Sequence, residues 1–141
     1  MSAALFIALC CTGALLLTTA YFVMGSIPLL ILKHDVPMDA RFVRGFFNTY
    51  YLAAMGTAGV AALSYAVAGR PVFAAGAAAL AGLTALLRRK VIPTMDRLRI
   101  EIGDQCASAI ATFGRIHVTA ILMNLVQLVV IVWSLIVAAR P

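Results

Sequence analysis

The chain has 141 residues, of which 64% are hydrophobic and 11% charged, with a formal net charge of +6. At a mean hydropathy of +1.04 this composition excludes a soluble globular domain and points to an integral membrane protein. The basic excess sits mostly in two segments, a pattern of membrane topology and headgroup attraction that excludes nucleic acid as the partner.

Four apolar stretches, residues 3–32, 46–67, 72–87 and 118–139, are mostly close to the roughly 20 residues that cross a bilayer as helix. They predict an all-α fold: an integral membrane four-helix bundle forming one domain over residues 1–141. The connecting segments, 33–45, 68–71 and 88–117, leave no room for a second domain.

The first stretch opens MSAALFIALCCTGALLLTTA, without a basic leader or a small-x-small cleavage site, so it reads as a helix and not a signal peptide. Leu9 stands before Cys10, where a lipoprotein cleavage site expects a small residue. The run of 30 apolar residues would be about 45 Å long as straight helix, too long for a hydrocarbon core of about 30 Å. A kink or break is therefore expected at Gly25, Ser26, Ile27 and Pro28, because proline lacks an amide proton and clashes with the preceding turn. Cys10, Cys11 and Cys106 form no disulfide framework and read as packing residues.

The second and third stretches are rich in small residues, with Ala54, Ala58 and Ala62 on one stripe, Ala75, Ala79 and Leu83 on another, and Gly56, Gly59, Gly76 and Gly82 beside them. Small residues four apart let helix backbones approach closely in lipid. The short AGRP turn makes these two helices antiparallel neighbours.

The segment between the third and fourth stretches has Met95, Leu98, Ile102, Cys106, Ala109, Phe113 and His117 at three- and four-residue spacing, which is a helical period. It predicts a helical extension: the third helix runs past Pro93 to about Ile102, Gly103 ends it, and Asp104 caps a helix leading into the fourth. Lys33, Arg41, Arg44, Arg88, Arg89, Lys90, Arg97, Arg99 and Arg115 fall in the first and third connections, and only Arg70 and Arg140 lie at the other end. The positive-inside rule then puts both connections in the cytoplasm and both termini outside, as in a bacterial inner membrane protein.

The fourth helix carries the least expected side chains. His117 and Asn124 are seven positions apart, two turns less about 20°, so they share a face. Arg44, Asn48 and Tyr51 share a face of the second helix and enter the membrane at a similar depth, with Ser26 and Thr84 at the same level on the other two helices. A cytoplasm-facing pocket bounded by Arg44, Asn48, Tyr51, His117 and Asn124 is the sharpest site this pattern allows. An unpartnered amide at membrane depth costs a few kcal/mol, so these groups are either interhelical glue or a ligand site. Gln127 lies about 60° off the shared face and reads as a helix partner.

Several chemistries lack their residues. A haem between two histidines needs both at one depth, and His34 lies in the first connection. Proton-coupled export wants a carboxylate inside the membrane, and all five carboxylates lie outside it. Thiol exchange wants a CxxC pair, and His117, Cys106 and Asp104 have no strong zinc-ligand spacing. No metal site is predicted, and the pattern names no cofactor.

GSIP at 25–28, VIPTMDRLR at 91–99 and RIH at 115–117 give the chain a layout that resembles the anthrone oxygenase-like family of small four-helix membrane proteins. FGRIHVTAILMNL, with His117 and Asn124, is similar to the family containing transmembrane protein 205. The first resemblance implies a cofactor-independent membrane oxygenase acting on polycyclic phenols, with His117 as base and Arg44, Asn48 and Tyr51 steadying an anion. Fold does not fix function. The leading expectation is a pocket for a lipophilic small molecule such as a quinone, polyphenol or lipid. The alternatives are the oxygenase and an accessory subunit that packs on a membrane protein partner or on its own copy.

Overall fold

A computed structural model describes residues 2–140. It contains four long helices, α1 (Ala3–Leu29), α2 (Pro37–Val67), α3 (Pro71–Gly103) and α4 (Ala107–Ala138). Each is long and apolar enough to cross a membrane. Such helices satisfy their own backbone groups, which is the condition for entering hydrocarbon. Short turns make the chain run up and down, α1 against α2, α2 against α3, α3 against α4, and α4 back against α1. Large apolar side chains cover the outside, including Leu17, Leu63, Val67 and Trp133, each at least 70% exposed. That outer surface suits lipid contact and would be a liability in water.

The helix ends refine the expectation at three places. Pro28, where a kink or break is expected, sits in the last turn of α1, and the helix stops at Leu29. The amides of Leu30 and Ile31 then turn to the carbonyls of Ile27 and Pro28 at 3.1 Å, a tightened final turn that ends the helix. Second, α2 begins at Pro37, well before the apolar run, because proline at the first helical position and Asp39 in the first turn both favour a start there. The first connection is therefore only residues 30–36. Third, Asp104 is the last residue of the α3 cap and does not start α4. Cys106 takes that place, with its thiol 3.1 Å from the Ser108 hydroxyl. The predicted passage of α3 through Pro93 to Gly103 holds. Gly69 in the 68–70 turn has φ of 70°, a left-handed conformation that glycine takes without steric cost.

The interior follows a three-and-four spacing on three helices. Buried positions on α1 include Ala8, Thr12, Leu15, Thr19, Phe22 and Ser26; on α4 they include Ala109, Phe113, His117, Ala120, Asn124, Gln127 and Ile131. On α2 they include Ala40, Val43, Phe47, Tyr50, Ala54, Ala58, Ala61 and Tyr65. This three-and-four spacing is the seam of an up-and-down helix bundle. The small-residue stripes are placed differently from expectation. Ala54 and Ala58 are buried, but Ala61 and not Ala62 continues the stripe, while Ala75, Ala79 and Leu83 all face outward. A Cβ added at Gly56, Gly59, Gly76 or Gly82 would meet nothing within 4 Å, so these glycines do not create the α2–α3 approach. Cys10 is exposed and Cys11 and Cys106 are partly so; the expectation of three packed cysteines fails at Cys10.

Candidate functional site

The buried polar groups of α1 repeat every seven residues, Thr12, Thr19 and Ser26, a rise of about 10.5 Å between them. Each meets a different layer of the bundle. At the terminal end, Thr12 donates to the Ala8 carbonyl at 2.8 Å, so the Tyr65 hydroxyl 3.0 Å away donates to Thr12. In the middle, the Tyr50 hydroxyl donates to Asn124 Oδ1 at 2.6 Å and accepts from Thr19 at 3.3 Å. The Asn124 amide donates its own proton to the Ala120 carbonyl at 2.7 Å. Asn124 is fully buried and is bonded through both ends of its side chain, which removes most of the cost of burying it.

The third layer lies at the basic end. His117 is fully buried, with its Nδ1 3.2 Å from Nε2 of His34. One ring donates and the other accepts, and two charged rings at that distance would repel. His34 belongs to the first connection by sequence, yet it is only 5% exposed and packs on Phe113 as well as His117. Its φ of 56° is left-handed, a conformation that costs of order 1 kcal/mol in a non-glycine residue and persists when surrounding contacts impose it. Burial holds the His34 imidazole below the usual histidine range, against the opposite pull of the Asp39 and Asp35 carboxylates. The two histidines thus do share one depth, contrary to the expectation, but they touch each other directly and leave no gap for a ligand between them. Among the described residues no third histidine, cysteine or carboxylate joins them in a metal-binding group.

The five residues predicted to bound one pocket divide among three settings. Arg44 pairs with Asp96 of α3 at 2.9 Å, and Asn48 accepts from Arg88 Nε of α3 at 3.1 Å. Both therefore bind α2 to α3 and do not face α4. His117 and Asn124 lie on the α4 seam as predicted, but the tyrosine that reaches Asn124 is Tyr50. Tyr51 is fully buried, and its hydroxyl has no hydrogen-bond partner. The Nε2 of His117, the hydroxyl of Ser26 and the amide nitrogen of Gln127 are also buried without partners. Phe47 closes the remaining side of His117, with ring centroids 5.3 Å apart.

Open space lies elsewhere. A groove of about 620 Å³ runs between α1 and α2, lined by Phe22, Phe42, Phe46, Tyr50 and Ala53, with Arg41 and Met38 at its basic end. Its wall is an aromatic stack: Phe22 lies face to face with Tyr50 at 4.1 Å and with Phe46 at 5.5 Å, and meets Phe47 edge-on at 4.9 Å. Gly25 makes room for that wall, because a Cβ there would lie 2.7 Å from Phe46 Cζ. The glycine of the GSIP stretch thus shapes the groove, and the proline ends the helix. A second cleft of about 600 Å³ adjoins at the basic end, lined by Arg41, Arg44, Gly45, Asp96 and Arg99. No protein-family model, no curated protein and no solved structure matches this chain.

Proposed function

We propose that this is a small integral membrane protein of a bacterial inner membrane that binds a lipophilic small molecule in the α1–α2 groove, with its basic end in the cytoplasm. The observation that carries the reading is the groove itself. Its volume of about 620 Å³ falls within the 300–1,000 Å³ usual for small-molecule sites, and its lining is aromatic with a few polar groups. Tyr50 links it to the interior, since the same side chain lines the groove and bonds Asn124. A quinone, a polyphenol and a lipid all present the flat or extended apolar surface that Tyr21, Phe42 and Phe46 can cover.

Native mass spectrometry of the protein, extracted in mild detergent from its own membrane, tests this reading, with an ultraviolet-visible spectrum of the same sample. The expected result is the chain with one retained small molecule. A bare chain would overturn it.

The oxygenase reading needs its substrate against His117. It draws no support from the geometry, because that ring is closed in by His34, Phe47 and the seam, and it lines none of the cavities described. A second reading, an accessory subunit or homo-oligomer, is favoured by α3. Its apolar half buries only Ala77 and Thr84, and Ala75, Gly76, Ala79 and Gly82 present a small-residue face outward of the kind that packs on another helix in lipid. That reading predicts a protein partner or second copy at fixed ratio in the same mass spectrum.

A further inference from the structure

The apolar groove and the basic cleft are contiguous. Arg41 and Gly45 line both, so one continuous surface runs from three arginines onto the aromatic wall. The charges at the basic end do not cancel. Asp96 pairs with Arg44, and neither Arg41 nor Arg99 has a carboxylate partner among the described residues. Two guanidinium groups are thus free at the mouth of an apolar groove. A quinone or a polyphenol offers them no full negative charge, whereas a phosphate matches the planar fork of arginine with paired hydrogen bonds.

The dimensions agree with one kind of occupant. From Arg41 to Ala53 the groove follows twelve residues of α2, a rise of about 18 Å. Half of a hydrocarbon core is about 15 Å deep. The groove therefore starts at headgroup level and ends near the bilayer midplane, which is the reach of a lipid chain within one leaflet.

We propose that the occupant is an anionic phospholipid, with its phosphate held by Arg41 and Arg99 and one acyl chain lying along Phe42, Phe46 and Ala53. This rests on the groove being the ligand site. Gly45 is the joint between head and tail sites. A Cβ there would meet nothing within 4 Å, so a side chain can begin at this position without a clash and extend across the joint.

The test is native mass spectrometry of the full chain in detergent, titrated separately with dioleoylphosphatidylglycerol, dioleoylphosphatidylcholine and oleate. Circular dichroism and size-exclusion profiles confirm the fold of each variant. The expected result is one phosphatidylglycerol bound about tenfold tighter than phosphatidylcholine, or about 1.4 kcal/mol in all. The double variant Arg41→Gln/Arg99→Gln should lose that preference, Arg89→Gln, an exposed cation outside the cleft, should keep it, and Gly45→Trp should lose binding of both phospholipids.

Equal binding of the two phospholipids would overturn the inference, because the groove would then not select an anionic lipid. Oleate binding as tightly as phosphatidylglycerol would replace the phosphate by a carboxylate and overturn it too. A preference that survives Arg41→Gln/Arg99→Gln would mean diffuse attraction of a basic surface. Loss of all three ligands in the parent chain would overturn the groove reading itself.

Discussion

The α4 seam and the α1–α2 groove make opposite use of polarity. The seam holds the fully buried His117 and Asn124, and it pairs part of its polarity within the fold: Asn124 with Tyr50 and Ala120, and His117 Nδ1 with His34, while His117 Nε2 and the Tyr51 hydroxyl have no partner. The groove has few polar groups, but it is open and about 620 Å³ in volume. In a membrane bundle a buried amide or imidazole first needs partners within the fold. Polarity at membrane depth is therefore a guide to what joins the helices, while accessible concave surface is a guide to what they bind.

The sharpest way to break that comparison is at its centre. Phe47 is fully buried and touches Phe22, Tyr51 and His117. Phe47→Ala should lower stability in detergent by about 3 kcal/mol through the cavity it leaves, measured by thermal unfolding. A neutral outcome would mean that the seam is not packed as described.

Asn124→Leu comes next, at about 1–2 kcal/mol, because it strands the Tyr50 hydroxyl with only the longer Thr19 contact. If it abolished ligand retention while leaving the melting temperature unchanged, seam and groove would have exchanged roles.

Acidification should act through the His34–His117 pair. Burial lowers the His34 pKa in the folded chain, so the unfolded chain takes up the proton first, and stability falls as pH drops below about 6.5. A melting curve from pH 7.5 to 5 should show this loss, and His34→Gln should reduce it. A parent protein that is more stable at pH 5 than at pH 7 would contradict the sign.

The smallest effect is expected at Asp96→Asn. Its pair with Arg44 is about one-third exposed on both sides, so stability should change by no more than about 1 kcal/mol. Phosphatidylglycerol binding should rise or hold, since the cleft becomes more basic; a fall would place the carboxylate, and not the arginines, at the ligand.

The four helices were legible because hydropathy and the three-and-four spacing act locally. Helix ends were less so. The charges of residues 37–45 hid the start of α2 behind a hydropathy minimum, although Pro37 and Asp39 were available signals. The site was harder still. Arg44 and Asn48 do share a face of α2, but nothing in a single helix says that the face meets Asp96 and Arg88 of α3. Tyr50 and Tyr51 differ by about 100° around one helix, which no periodicity resolves without the neighbouring helix. His34 could not be found by pattern at all. It reaches His117 only because the chain reverses at 30–36 with a left-handed residue. Nor does composition reveal a groove, which arises from Gly25 admitting Phe46 and from the spacing of α1 and α2.

The most direct test of the division between seam and groove is a side-by-side comparison of Ala53→Trp and His117→Ala by native mass spectrometry after gentle extraction, with thermal unfolding of both. Ala53 lies at the deep end of the groove with its side chain exposed. The account predicts that Ala53→Trp loses the retained molecule and keeps its melting temperature, while His117→Ala keeps the molecule and melts lower. The reverse pattern would make His117 the ligand site and the groove an empty surface feature.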